Sequence, residues 1–460
     1  MVHDVCPAWV RNNQPFDGPK YLALAHALAA GIESGELSSG DRLPSHRELA
    51  EMFGVTIATI TKAVAEASRR GLVVARKGSG TYVQIPSARI PATSTIELGL
   101  NTLPSTLVSD LIVGTLSRVA ASEGSDRLLG YASYQIDGEG LTLARNWLSA
   151  RGVAFPSGHS VFPCGGVQQG LIAAIAALAR PGQTVLCEAL TYTGILRACA
   201  LRGAVVHGVE LDGEGVVPDS LDRAFVETGA RLFVCTPSTQ NPTGRSMSEE
   251  RRRRIAAVLR KHDAFLVEDA VNVPLSGGEA PPIASHVPER AILLGGFSKC
   301  AAPGLRFALA SVPVSAQSAF HDELVATSWI APQLHGALAS EMVRSGAMDE
   351  ALRRHRAEAA ARQRIAGECL GSDVEEQSCP AYHVWIELPA RWEINSLVTL
   401  AAAHNLRVTT SAHFACPNVT PPNALRICLG AEEDRATLKD GLQRLGLLMR
   451  QTVPLSDPVI

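Results

Sequence analysis

From Ile96 onward the chain alternates short apolar runs with amphipathic stretches, and no other feature restricts its fold as strongly. The apolar runs are Thr184 to Cys187, Ala204 to Val209, Leu232 to Cys235, Phe265 to Glu268 and Ala291 to Leu294. Helical segments such as Gly194 to Leu201 and Ser248 to His262 separate them. Strands that are apolar on both faces are covered on both sides, and strands that alternate with helices pair in parallel. The expected fold class is therefore α/β, a mostly parallel sheet with helices on both faces. From about His335 a smaller α/β lobe follows, with a strand at His383 to Leu388.

A chain of 460 residues exceeds one hydrophobic core and suits two or three domains. Its 46% hydrophobic and 19% charged residues describe a folded protein, and a net charge of −3 exerts no global pull on a polyanion. Any nucleic-acid contact must come from a local patch. The longest apolar run, Leu171 to Ala179, is too short to span a bilayer, and the first residues lack the pattern of a signal peptide. The ten cysteines are scattered without a Cys-x-x-Cys pair or a Cys/His cluster. This is the usage of a cytoplasmic protein with reduced thiols and no metal site. Cys300 reads as a packing residue.

Residues 18–83 form a separate unit. Leu22, Ala25, Leu28 and Ile32 recur at helical spacing, and Gly35 ends that helix. Ser45 is a good N-cap for a helix carrying Arg47, Leu49 and Ala50. Gly54 breaks it, and Thr56 caps a third helix with the stripe Ile60, Val64 and Ala67. Two short helices joined by a glycine turn are the shape of a helix-turn-helix. After Gly71 two short runs flank the turn Arg76-Lys77-Gly78-Ser79-Gly80, a wing with basic residues suited to phosphates. Residues 84–95, with two prolines and no periodicity, read as a linker that reaches about 37 Å at ~3.1 Å per residue. Residues 96–450 make up the large second part.

In open α/β sheets ligands gather at the carboxyl ends of strands, and several chemically active residues fall there. Gly165-Gly166-Val167-Gln168 leads from a strand into an apolar helix, a start that can hold a phosphate with backbone N–H groups. Asn241 follows the run ending at Cys235, Asp269 ends the run Phe-Leu-Val-Glu-Asp, and Lys299 ends the strand that starts near Ala291. Arg306 lies seven residues later.

These motifs carry two resemblances. The Leu43-Pro44-Ser45-x-Arg47-x-Leu49-Ala50 run and the Gly78-x-Gly80-Thr81 wing resemble the GntR-type winged helix. That implies that Arg47, Thr56, Thr59 and Lys62 face DNA, with Arg76 and Lys77 on phosphates and Gly78 letting the wing approach a groove. Asn241-Pro-Thr-Gly, Asp269, Ser298-Lys299 and Arg306 in this order resemble fold type I pyridoxal-phosphate enzymes of the aspartate aminotransferase superfamily. The combination resembles the MocR subfamily of GntR regulators, head-to-tail homodimers with an aminotransferase-like effector domain.

The second resemblance implies a role for each residue. Lys299 would form an internal aldimine with pyridoxal 5'-phosphate, Asp269 would keep the ring nitrogen protonated, and Asn241 would donate to the phenolic oxygen. Arg306 and the N–H groups of Val167 and Gln168 would bind the phosphate, Tyr192 would stack on the ring, and Tyr131 would reach the partner subunit's phosphate. Arg426 would grip a carboxylate of a substrate or effector. Three departures stand out: Thr56-Ile57 where relatives carry Ser-Arg, Asn272 where they carry a tyrosine, and Gly296 where they carry a phosphate-binding serine. Asn272 offers a hydrogen bond to the cofactor but cannot become a phenolate.

Three functions follow. The first is a cytoplasmic regulator that binds DNA at repeated or palindromic half-sites and senses pyridoxal phosphate or an amino compound. The second is a working aminotransferase with an attached DNA-binding domain. The third is a cofactor-free dimerisation scaffold. The effector, the operator sequence and the sign of regulation are not legible.

Overall fold

A computed structural model describes residues 20–33, 36–37, 41–69, 72–76, 80–83, 95–122, 128, 130–131, 138–277, 280–329, 331–371, 379–389 and 392–450. The chain falls into two compact units divided between residues 94 and 95.

The first unit comprises helices α1 (Lys20–Glu33), α2 (His46–Phe53) and α3 (Ile57–Arg69) and strands β1 (Val73–Arg76) and β2 (Gly80–Val83). Helix α2 begins in a capping box. The Glu48 N–H donates to Ser45 Oγ at 3.3 Å, and the Ser45 N–H donates to the Glu48 carboxylate at 2.7 Å. Gly54 ends the helix in the left-handed region at φ 62°, where a side chain would be strained. Thr56 caps α3, its hydroxyl accepting from the Thr59 N–H at 3.2 Å. The stripes read from the sequence meet in one core of Leu24, Leu28, Leu49, Phe53, Ile60 and Val64, closed by Val73 and Val83. Strands β1 and β2 pair antiparallel, Val73 opposite Val83 and Arg76 opposite Gly80.

The second unit opens with β3 (Ile96–Glu97) and centres on a seven-stranded sheet. In chain order its strands are β4 (Ser160–Cys164), β5 (Thr184–Glu188) and β6 (Val205–Val209), then, after a small hairpin of β7 (Leu211–Asp212) and β8 (Gly215–Val216), β9 (Leu232–Cys235), β10 (Phe265–Asp269), β11 (Ala291–Gly296) and β12 (Ala308–Val312). Their spatial order is β4-β12-β11-β10-β9-β5-β6. Strands β6, β5, β9, β10 and β11 run parallel, whereas β12 is antiparallel to both of its neighbours. Successive side chains serve opposite faces. Leu186, Phe233, Leu266 and Leu293 enter one core, and Cys187, Val234, Val267 and Ile292 enter the other. Helix α4 (Val167–Leu178) covers the second face with Leu171 and Ile175.

A smaller lobe contains β13 (His383–Glu387), β14 (Leu406–Arg407), β15 (Thr409–Thr410) and β16 (Ala424–Cys428). Strands β13, β16 and β15 form an antiparallel sheet, and β14 pairs in parallel with β3. The boundary expected near His335 needs correction. The helix at 333–344 places Ala339 and Met342 in the core of the large sheet. The small-lobe core instead gathers Ile96 and Leu98 with Ala366 and Leu370, at the end of helix α5 (Ala347–Leu370). The lobe is therefore assembled from both ends of this unit.

Candidate functional site

Because β5, β9, β10 and β11 run the same way, their carboxyl ends at Glu188, Cys235, Asp269 and Gly296 open on one edge of the sheet. A cavity of ≈ 440 Å³ lies there. Its lining brings together Lys299, Asp269, Asn241, Tyr192, Arg306, Val167, Gln168, Asn272 and Arg426. Tyr131 does not line it and is 87% exposed.

Lys299 lies three residues beyond the end of β11, in a turn, and not at the end of the strand as expected. Strand pairing with β12 stops at Gly296, opposite Ala308, and the chain then turns the amine into the cavity. Lys299 Nζ donates to the Asn101 carbonyl oxygen at 2.8 Å. Burial lowers its pKa to about 8, helped by the positive charge of Arg426 and opposed by Cys428 and Asp269. Burial in turn raises Asp269 to about 6, while the Val271 N–H, donating at 2.9 Å, and the Lys299 charge favour its ionised form. Below them Glu188 is fully buried and pushed up to about 8 by burial, despite accepting from the Thr236 N–H at 3.1 Å and the Thr191 hydroxyl at 3.2 Å.

Arg426 sits on β16 between Trp385 on β13 and Thr409 on β15. Its Nη1 donates to Asn241 Oδ1 at 2.8 Å and its Nη2 to the Gly99 carbonyl at 2.6 Å, with the guanidinium carbon 4.6 Å from the Phe414 ring centroid. With Oδ1 committed to Arg426, the Asn241 amide nitrogen is the group left to donate into the cavity. Asn272 donates from Nδ2 to the Thr239 carbonyl at 2.9 Å, tying down the loop that carries Asn241. The position of Gly296 is filled from outside: a Cβ there would lie 2.9 Å from Val167 Cγ2 and 3.4 Å from Val271 Cγ2. The absent serine is thus matched by two valine side chains.

At the other end, Gly166 adopts φ 87° and precedes α4, so the first N–H groups of Val167 and Gln168 have no partner within the helix. Arg306, itself left-handed at φ 42°, lays its guanidinium across Gly166, where a Cβ would lie 2.8 Å from Nη2. A helix start and a guanidinium, its Nη2 donating to the Gly165 carbonyl at 3.2 Å, converge on one spot and are groups that could hold an anion. The Tyr192 ring covers Gly194 beside Gln168. Two buried acceptors or donors in this wall, Gln168 Oε1 and Thr236 Oγ1, lack a partner, as does Arg426 Nε.

The sequence reading missed Asn101, Glu188, Thr236, Phe414 and His383. Asn101 accepts from Lys299 through its carbonyl, and its side-chain amide lies 3.5 Å from His383 Nδ1. His383 Nε2 donates to the Gln240 carbonyl at 3.2 Å, and burial holds this histidine down at about 3. A carboxylate at the end of the run Thr-Val-Leu-Cys-Glu was the one available signal, the same one that marked Asp269. Cys300 is buried, donates to the Phe297 carbonyl at 3.5 Å and is pushed up to about 12 by burial, as suits a packing residue.

In the first unit Arg47 is exposed, with Nε 3.7 Å from Glu51. The Thr56 and Thr59 hydroxyls bond to each other at 2.8 Å, and Lys62 is exposed on α3. Arg76 is the last residue of β1, while Lys77 and Gly78 lie outside the described residues. No described helix is long and apolar enough to cross a membrane.

The donor set suits a phosphorylated pyridine aldehyde. One edge of the sheet supplies an amine with a lowered pKa, a buried carboxylate, a free amide donor, an aromatic face and an anion site. Residues 100–445 match the family of class I and II aminotransferases, and residues 20–83 match the gntR family of bacterial regulatory proteins. The uncharacterized HTH-type transcriptional regulator YdeF of Bacillus subtilis is 26% identical over 96% of this chain and 97% of its own length. The 2-aminoadipate transaminase of Thermus thermophilus is 28% identical over 60% of this chain and 71% of its own. Among solved structures, kynurenine aminotransferase of Pyrococcus horikoshii superposes with a TM-score of 0.70 at 21% identity, covering 79% of this chain and 92% of its own. That likeness concerns the fold.

Proposed function

This chain belongs to the class I and II aminotransferase family and carries a GntR-type helix-turn-helix ahead of that domain, the arrangement of MocR-type regulators, and on this premise we propose that it is a transcription regulator controlled by pyridoxal 5'-phosphate. The observation that carries the proposal is the meeting of Lys299, Asp269, Asn241 and Arg306 in one cavity.

In this reading Lys299 would hold the cofactor through its aldehyde. Its lowered pKa leaves a larger share of free amine near neutral pH than an exposed lysine has. Asp269 would pair with the ring nitrogen and Asn241 would donate to the ring oxygen. Tyr192 would cover the ring face, Asn272 keeps the Asn241 loop in place, and Arg306 with the Val167 and Gln168 N–H groups would bind the phosphate. Once bound, the cofactor supplies an electrophilic carbon and an electron-accepting ring. Arg426 takes the carboxylate of an amino-compound effector, which competes with Asn241 and Gly99 for the guanidinium. Tyr131 reaches the site of a second copy in a head-to-tail homodimer. Arg47, Thr56, Thr59 and Lys62, with the wing residues Arg76, Lys77 and Gly78, face DNA carrying repeated or palindromic half-sites. Effector binding shifts the dimer between states of different DNA affinity.

A second reading, a working aminotransferase, is favoured by Arg426 and by the likeness to the 2-aminoadipate transaminase. Against high turnover stand Asn272, whose amide does not ionise as a phenol does, and Gly296, which has no side chain. The test is a visible-absorbance titration of the purified protein with pyridoxal phosphate, paired with DNA-binding isotherms at each cofactor level. A band that saturates, disappears in Lys299→Ala and tracks a change in DNA affinity is the expected result. No band, or DNA affinity indifferent to the cofactor, overturns it. Steady conversion of an amino acid with a keto acid would favour the second reading.

A further inference from the structure

We propose that the outward face of α3 recognises thymine methyl groups, so that the operator carries thymines where Ile57, Ala58, Thr61 and Ala65 meet the major groove. This rests on the reading of the first unit as a DNA binder. Helix α3 buries Ile60, Ala63, Val64, Glu66 and Ala67 and exposes Ile57, Ala58, Thr61, Lys62 and Ala65, with Ser68 at its far end. Ile57, the first helical residue, is a large β-branched side chain left 52% exposed. In a helix-turn-helix the beginning of the second helix meets base edges.

The hydroxyls near this face are already engaged. Thr61 Oγ1 donates to the Ile57 carbonyl at 3.0 Å and lies 3.2 Å from His46 Nδ1. Thr56 and Thr59 bond to each other and cap the helix. Reading guanine takes a bidentate Arg or Lys, and reading adenine takes Asn or Gln. Among the described side chains of α3 there is neither Asn nor Gln, and Lys62 is the one cation. What remains is aliphatic surface, and the 5-methyl of thymine is the apolar feature of the major groove. Lys62, at the edge of this face, is placed for a phosphate.

The test uses the full-length protein. Duplexes are selected from a randomised pool, and each selected thymine is then replaced by uracil, which removes the methyl group and leaves the pairing edge intact. The expected result is at least two positions per half-site where uracil weakens binding about fourfold each, the ratio one buried methyl group supplies. In Ile57→Ala, uracil should cost nothing further at one of these positions and the same fourfold at the others. Ile57→Arg should shift the recovered base there toward guanine. Selected sites with G·C pairs under α3, or a uracil effect undiminished in Ile57→Ala, overturn the inference while leaving DNA binding intact. If no duplex is retained even at low salt, the DNA-binding reading itself fails.

Discussion

At the carboxyl edge of β5, β9, β10 and β11, ionisable groups are withdrawn from water, Glu188 and Asp269 fully and Lys299 in part: the two carboxyls are driven toward their neutral forms and Lys299 toward its free amine. On α3 the outward side chains stand in water, and their local hydrogen bonds are made within a turn or two of the same helix pair. The first region obtains its chemistry from desolvation, which requires a large two-faced core around it. The second obtains its surface from helical periodicity and capping, so 64 matched residues suffice to present it. The candidate site therefore depends on the whole α/β unit, whereas the helix-turn-helix depends on little beyond itself.

The sharpest way to break this contrast is Phe53→Ala, which empties part of the small core. A loss of about 3–5 kcal/mol is expected, enough to unfold a unit of this size. DNA binding should vanish while the pyridoxal-phosphate titration remains as in the parent protein. A shared loss in both assays would mean that the two units are not independent.

Asp269→Ala probes the other region. Removing a charged partner of the bound ring should weaken pyridoxal-phosphate binding about ten- to a hundredfold, with DNA affinity of the cofactor-free protein unchanged. Equal affinity in an absorbance titration would remove Asp269 from the site. The rate at which the cofactor-free protein captures pyridoxal phosphate should fall about tenfold per pH unit below about 8 and level off above it. The sign follows from the lowered amine: protonation at lower pH removes the nucleophile. A break near 10.5, the ordinary lysine value, would show that Lys299 is not desolvated. The smallest effect belongs to Ser45→Ala, which removes half of the capping box of α2. It should lower the stability of the first unit by about 1 kcal/mol, seen as a small drop in its melting temperature, with the cofactor site untouched.

Much of this architecture was legible. Strand Leu232–Cys235 and the first three residues of Phe265–Asp269 appear in the sequence as unbroken apolar runs because both of their faces are buried. Ser45, Gly54 and Thr56 marked the helix ends through local capping chemistry. Strand β12 went unread: the run Ala-Leu-Ala-Ser-Val looks no different from a parallel strand, and its antiparallel direction depends on the short turn through Pro303–Leu305 that returns the chain beside β11. The origin of β3 in the small lobe was equally hidden, since two residues pairing with Leu406 and Arg407 leave no periodicity.

By itself the amino-acid order determined which residues fall at the strand ends and which helix faces are exposed, because strand burial, helix spacing and caps act between near neighbours. Only the tertiary structure decided how those groups are tuned. Arg426 reaches Asn241 across 185 residues of chain, Lys299 finds the Asn101 carbonyl across 198, and the charges of Asp269 and Glu188 are altered by a core to which all the strands contribute. Desolvation and long-range hydrogen bonds belong to the packed assembly, and no window of sequence contains them.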